Sequence, residues 1–504
     1  MRLDIRLRTT TQVVETKRKC SKIHLFKEVL AIEVTVAGKG SIINGTTFVY
    51  PRDDNQPASK QMTSEDLMAF VMANDNLAKG YDRKWQMYIG NHDILSQASK
   101  DHGPDNRLVA NLAHYIVETF NGYFMGIPPK ITLDDKNNNQ ALQQWNDTNS
   151  FQDKLNEISK QADIYGRSIA FLFQNEKSET GVAYSSPINS FIIYDDRITH
   201  EPLAFVRYSR NEAQEVSGEI YFEDKQFTFD SSYEMKNGKI NQFGTVPAVE
   251  FFDNEERQGV FENSMTLIDA LDQVMSQKAN QNAYFDNGYL LIKGLDLTDA
   301  DGNIDLDLDG NQIIYAPDAD AVGGSAEFLS KPDGDAMQEH LTDRLIDMIY
   351  QISMVANLND DSFSGNSSGV ALQYKLLPMK NLAANKERKF TQALRKLYKI
   401  AFSVGTILGD SKSDAWQELS FQFTRNLPVN LSDEANTAKA LTGVVSEETR
   451  LSTLSIVDDP KAEMKRMQKE QADSIRNSLD VTGNLTDQQK AGMNNESETA
   501  ESKE

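Results

Sequence analysis

Two stretches decide how this chain folds: NSMTLIDALDQVMSQKANQNAYF, residues 263–285, and DAMQEHLTDRLIDMIYQISMVAN, residues 335–357. In the first, Leu267, Leu271, Val274 and Met275 recur at helical spacing while Asp269, Asp272 and Gln273 point elsewhere. In the second, Leu341, Leu345, Met348, Ile349 and Ile352 form the apolar side. At about 1.5 Å per residue, each predicts a rod of roughly 35 Å. Both apolar stripes are narrow, so neither rod buries itself fully within one chain. A helical pair inside a monomer core and a pair packing on copies of itself in a ring both fit, and periodicity leaves the two open. Between the rods, Gly288 to Pro332 reads as a small β-rich insert, so the whole is a helical hairpin with a β head.

Upstream, Ser64-Glu65-Asp66 is a helix start signal. Leu108, Leu112, Tyr115, Ile116 and Phe120 predict a helix over Asn106–Asn121, ending at Gly122 before the Pro128-Pro129 stop. A helix from Phe151 to Tyr165 then precedes strands at 168–174, 190–195, 203–209, 219–223, 226–230 and 248–252, with a turn at Lys236-Asn237-Gly238. This is an antiparallel α+β domain. Residues 1–60 hold short β-branched stretches broken by Gly38, Gly40 and Gly45 and read as an arm of uncertain structure. Downstream, the polar loop Asn357–Ser368 leads to a long helix reaching about Leu408, kinked at Pro378. Helical segments from Ser432 and over Lys461–Ser478 follow, and residues 479–504 have the polar composition of a disordered tail. The fold class is a helix-rich α+β.

Lys and Arg number 52 against 75 Asp and Glu, a net charge of -23. The chain as a whole is therefore unsuited to wrapping DNA, whose binding runs on cations displacing counterions. A mean hydropathy of -0.53, with no long apolar run, predicts no membrane span. The N-terminus lacks the apolar stretch of a secretory signal. The single Cys20 excludes an intrachain disulfide and any multi-cysteine zinc site, and the six histidines are scattered. No cofactor or metal is expected.

Three strings resemble catalytic or ion-binding motifs and fail on context. Asp305-Leu306-Asp307-Leu308-Asp309-Gly310 opens like a calcium loop, but Ala316 stands where the closing Glu belongs. It reads better as a strand, an Asp-Gly turn and a return over Gln312–Ala316. Gly365-Asn366-Ser367-Ser368-Gly369 matches a nucleophile elbow but follows a polar loop rather than a buried strand. Gly38-Lys39-Gly40-Ser41 has the wrong spacing for a phosphate loop. The sequence argues against an enzyme.

Charge is organised locally. Between Val370 and Ile400 eight cations stand against the lone Glu387. Arg388, Arg395 and Lys399 share one helical face, with Lys389 and Lys396 beside it. That face suits solvent, the acidic surface of a neighbouring subunit, or DNA phosphates. The rods lean acidic through Asp269 and Asp272 on one and Glu339, Asp343 and Asp347 on the other. An acidic channel lining would repel phosphates and let DNA slide; an ordinary solvated face fits as well.

The order of parts resembles the portal proteins of long-tailed bacteriophages, especially those infecting Gram-positive bacteria. The resemblance runs from about Tyr88 to Leu408. It is carried by Tyr88–Leu95, Pro104–Leu108, Ile116-Val117, Gly122–Pro128, Ala162–Ser168, Gly259–Glu262 and Leu267–Ala270. It implies a ring of about twelve copies at one capsid vertex, the conduit for genome packaging and ejection. Residues 61–262 look like the wing, 263–285 and 335–357 the stem, 286–334 the clip and 358–368 the tunnel loop. Residues 369–429 return to the wing and 430–478 look like the crown. The tunnel loop holds no Lys or Arg, so its candidate channel residues are Asn359, Asp360, Ser362, Phe363 and Asn366, with Lys375 the nearest following cation. The implied partners are further copies of the chain, double-stranded DNA, the terminase large subunit, a head-completion adaptor, and the scaffold and major capsid proteins. The implied location is the virion, with assembly in the host cytoplasm. The alternatives are a capsid or tail-tube subunit, or a DNA-processing packaging enzyme.

Overall fold

Thr63 and Asp66 close a reciprocal capping box, each side chain accepting from the other's backbone amide, and this starts a helix of 25 residues. The computed structural model describes residues 33–35, 39–43, 45–100, 103–285, 290–295, 313–316, 324–328, 335–359, 373–427, 431–454, 456–457 and 460–474. It divides into two units, up to Asn426 and from Leu427.

In the first unit, β1 (Glu33–Thr35), β2 (Ser41–Ile43) and β3 (Thr47–Tyr50) precede the short α1 (Ala58–Gln61) and α2 (Ser64–Tyr88). An eight-stranded sheet has the order β1-β2-β3-β7-β8-β9-β10-β11. Its later members are β7 (Ser190–Asp195), β8 (Pro202–Arg210), β9 (Val216–Tyr221), β10 (Lys225–Asp230) and β11 (Lys236–Ile240). All neighbours are antiparallel except β3 and β7, where Phe48 lies opposite Ile193 in a parallel pair. Strands β1, β2 and β3, in the part of the chain read as an arm of uncertain structure, are thus built into the sheet. The expected turn at 236–238 opens an exposed edge strand instead. Helix α2 covers this sheet with Leu67, Phe70 and Val71, fully buried against Phe48, Ile193, Val206 and Ile220.

A second sheet, β12-β5-β6, joins Ala248–Phe252, Arg167–Gln174 and Thr180–Ser185. Ile169 and Phe171 meet Ile192, Phe205 and Tyr221 of the large sheet. Before it come α3 (Leu112–Met125), β4 (Lys130–Thr132), α4 (Lys136–Thr148) and α5 (Phe151–Tyr165). Gly166 ends α5 at φ 90°, and a Cβ there would lie 1.9 Å from the Arg257 carbonyl oxygen, so only glycine fits. Helix α3 starts six residues later than its periodicity predicts, because Asn111 caps it through the His114 amide and Asn106–Ala110 is non-helical. It runs through Gly122 to Met125.

The two rods are α6 (Met265–Phe285) and α7 (Asp335–Ser353). They run antiparallel, with Ser264 Oγ near the Ile349 carbonyl at one end and Lys278 paired with Glu339 towards the other. Between them, β13 (Leu290–Lys293) is the centre of a three-stranded sheet, parallel to β14 (Ile313–Ala316) and antiparallel to β15 (Ser325–Phe328). Residues 305–310, with the calcium-like string and the first strand and turn of its alternative hairpin, lie outside the described residues; the expected return over Gln312–Ala316 is seen as the strand Ile313–Ala316.

After helical residues 373–375 and a break at Leu376, α8 spans Leu377–Ser403. Pro378 stands in its first turn, where the missing N–H has no helical partner to lose, so it starts this helix rather than kinking one. A 3-10 segment, Asp410–Glu418, leads to β16 (Ser420–Gln422), which pairs with β4. The second unit holds α9 (Leu431–Ala440), α10 (Glu447–Leu451), capped by Ser446, and α11 over residues 460–474. The tail over 479–504 lies outside the described residues.

Candidate functional site

Helix α7 divides its circumference into three faces. Leu345 and Ile349 are buried toward α6. Met337, Leu341, Met348 and Ile352 fall within roughly 60° of one another at ~100° per residue, and all four are exposed, from 76% at Met337 to 38% at Met348. Asp343 and Asp347 are exposed on a third face, roughly 130° from that stripe by the same geometry. Leu341, Met348 and Ile352 do adjoin Leu345 and Ile349 on one apolar side, as their spacing predicts, but they form its exposed margin.

The acidic residues expected to act together are placed differently. Asp343 and Asp347 are open to solvent, whereas Glu339 pairs with Lys278. Asp269 is partly covered and lies 2.9 Å from Arg83; burial raises its carboxyl above the ordinary value against the pull of that arginine. Asp272 is a correction. It is 1% exposed, and its oxygens accept from the Ala110 amide at 2.7 Å and face His92 Nδ1 at 2.5 Å. Both oxygens are occupied within the chain, so Asp272 cannot line a channel.

The loop after α7 is anchored at its start. The Leu358 amide donates to the Tyr115 hydroxyl at 3.2 Å, and Tyr115 meets Tyr350 edge-on. Asn359 is exposed, its amide donating to Asn357 Oδ1 at 3.1 Å. Asp360, Ser362, Phe363 and Asn366 lie outside the described residues. Lys375 is exposed at a cleft of about 290 Å³ whose lining includes Asp347, Tyr350 and Asn357.

On α8, Phe390, Leu394, Leu397 and Ala401 are buried, but the cations opposite are not a bare row. The Arg395 guanidinium lies over the Phe421 ring and donates to the Leu419 carbonyl at 3.2 Å. Lys399 lies over Trp416, and Lys389 lies over Phe252 and pairs with Glu255. Arg388 is exposed and reaches back to Ala384 and Asn385 of its own helix. Lys396 is exposed.

Lys386, counted with these cations in the sequence, is fully buried between Asp163 and Asp253. Burial holds both carboxyls above their ordinary range, Asp163 well above, despite the ammonium beside them. A second buried cluster joins Glu250 to Arg167, Arg257 and the Tyr194 hydroxyl. Burial would raise the Glu250 carboxyl, but the two guanidinium groups prevail and hold it at about 2. Sequence reasoning missed both clusters. It also missed the polar spacing Asp272, Ser276, Asn280 on α6, which was visible as an i, i+4, i+8 series.

Among the described residues no helix is long and apolar enough to cross a membrane, and no group of three His, Cys, Asp or Glu is placed to hold a metal ion.

Residues 73–477 match the family described as "Phage portal protein, SPP1 Gp6-like", a wider span than the motifs quoted from the sequence. The portal protein of Bacillus phage SPP1 is 24% identical over 427 residues, covering 79% of this chain and 82% of that protein. The portal protein of Clostridium phage phiCD119 is 22% identical over 436 residues, covering 79% and 94% respectively.

Proposed function

The chain belongs to the SPP1 Gp6-like family of phage portal proteins, and on that premise we propose that its copies close into a ring around a DNA channel at one capsid vertex. The three-faced α7 carries this reading. One face is satisfied by α6. The stripe Met337, Leu341, Met348 and Ile352 leaves large apolar side chains in water, which a neighbouring copy would cover. The third face, with Asp343 and Asp347, would then turn to the bore and repel phosphates, so that DNA slides with little grip.

In this arrangement residues 263–285 and 335–357 form the stem, the β13–β15 module the clip, and residues 430–478 the crown. The clip would dock the terminase large subunit during loading and the head-completion adaptor afterwards. Scaffold and major capsid proteins would surround the ring in the virion. The role is structural, with no catalytic group assigned. Lys375 and the segment before it would approach the DNA.

Negative-stain imaging of the purified chain tests the reading. Closed rings with an axial hole are expected, and a monomer that persists at high concentration overturns it.

A further inference from the structure

Three amides of the non-helical segment before α3 donate to three side chains on α6. Asn106 N reaches Asn280 Oδ1 at 2.5 Å, Leu108 N reaches Ser276 Oγ at 2.8 Å, and Ala110 N reaches Asp272 Oδ1 at 2.7 Å. The spacing explains why three rungs fit. Two residues of extended chain advance about 6.6 Å, and four residues of helix advance about 6 Å. Alternate amides therefore meet every fourth helical side chain.

The Asp272 rung is closed from its other side by His92. Its Nδ1 is 2.5 Å from Asp272 Oδ2 and its Nε2 is 3.0 Å from the Met87 carbonyl oxygen at the end of α2. A carbonyl oxygen only accepts, so Nε2 carries a proton, and a second proton lies between Nδ1 and the carboxylate. Both side chains are shut off from water. We propose that His92 is a doubly protonated clasp that fastens the root of α6 to α2 and to the segment 106–110, and that losing one proton loosens the ladder.

The charged groups around the clasp come from three elements. Asp269 lies on α6, Asp93 on the 3-10 turn that follows His92, and Arg83 on α2, where it bridges the other two at 2.9 and 3.4 Å. Arg107, on the ladder segment, turns away to the Leu95 and Gln97 carbonyls and to Asp105. Burial lowers the proton affinity of His92, but the hydrogen bond and charge of Asp272 outweigh it and the net direction is upward. A raised histidine contributes fully below its ordinary value of 6.5 and loses that contribution as pH rises through the folded value. Above that point either the Met87 carbonyl or the carboxylate faces a nitrogen lone pair.

The clasp lies within one chain and holds whether or not rings form. Hydrogen–deuterium exchange on the full chain tests it, read on the amides of residues 106–110 from about pH 6 to about pH 9 and corrected for intrinsic exchange against β8 amides. Wild-type protection is expected to fall about tenfold across that range while β8 keeps its own. His92→Gln is expected to show weak protection with no pH step. Asp272→Asn keeps the acceptor for Ala110 but removes the charge, so its step should move to lower pH. Wild-type protection that stays constant with pH, or an Asp272→Asn step that does not move, overturns the clasp.

Discussion

Lys386 Nζ stands 2.7 Å from Asp163 Oδ1 with neither side chain reaching water, and this contact ties α8 to α5 in the first unit. Asp253 closes the other side at 3.3 Å, and the rings of Phe120, Phe124 and Phe390 lie within 5.3 Å of the ammonium. One ammonium between two carboxylates leaves a charge of −1 unless a carboxyl keeps its proton. Burial favours the protonated form.

Replacing this lysine breaks the arrangement from its centre. Lys386→Met should lower stability by about 3–5 kcal/mol, because two buried carboxyls lose their counter-charge. Denaturant unfolding of the full chain measures it. A carboxyl raised in the fold makes stability decline as pH rises through its folded value, so the loss should grow toward alkaline pH. A loss that is small or independent of pH would contradict this account.

Glu250 responds in the opposite direction. Its carboxyl is held at about 2 against an ordinary 4.5, so its contribution is present above 4.5 and lost as pH falls through about 2. Glu250→Gln should cost on the order of 3 kcal/mol near neutral pH. The gap between variant and wild type should close on acidification between those values, as read by thermal unfolding in a pH series.

The apolar stripe of α7 is exposed within the chain, so charging it should spare the fold and block assembly. Leu341→Glu with Met348→Glu is expected to unfold near the wild-type temperature yet sediment as a monomer. Rings from the double variant would show that another surface drives assembly.

Arg395 and Lys396 are neighbours with different surroundings. Arg395→Ala loses a backbone hydrogen bond and the Phe421 ring contact, about 1–2 kcal/mol together. Lys396→Ala, at an exposed site, should change stability by less than about 0.5 kcal/mol. If Lys396 costs as much as Arg395, this face is not held by aromatic packing in the way described.

Much of the fold was legible from local pattern. Helix α5 and the strands at 190–195 and 248–252 lie where periodicity put them, because burial on one side imposes a repeat of 3.6 or 2. The start of α3 was misjudged because Leu108 sits at helical spacing, yet its amide is claimed by Ser276 of α6. The acidic group on the rods was legible as charge but not as exposure, and this is why Asp272 and Asp343 looked alike.

Taken alone, the sequence determined the two rods, the β module between them, the mixed sheet domain and the resemblance to portal proteins, all of which rest on near-neighbour spacing. Tertiary structure alone decided that Asp272 meets His92 across 180 residues and that Lys386 meets Asp163 across 223. Whether a charged side chain is solvated or buried depends on which distant element closes over it, and no repeat along the chain encodes that partner.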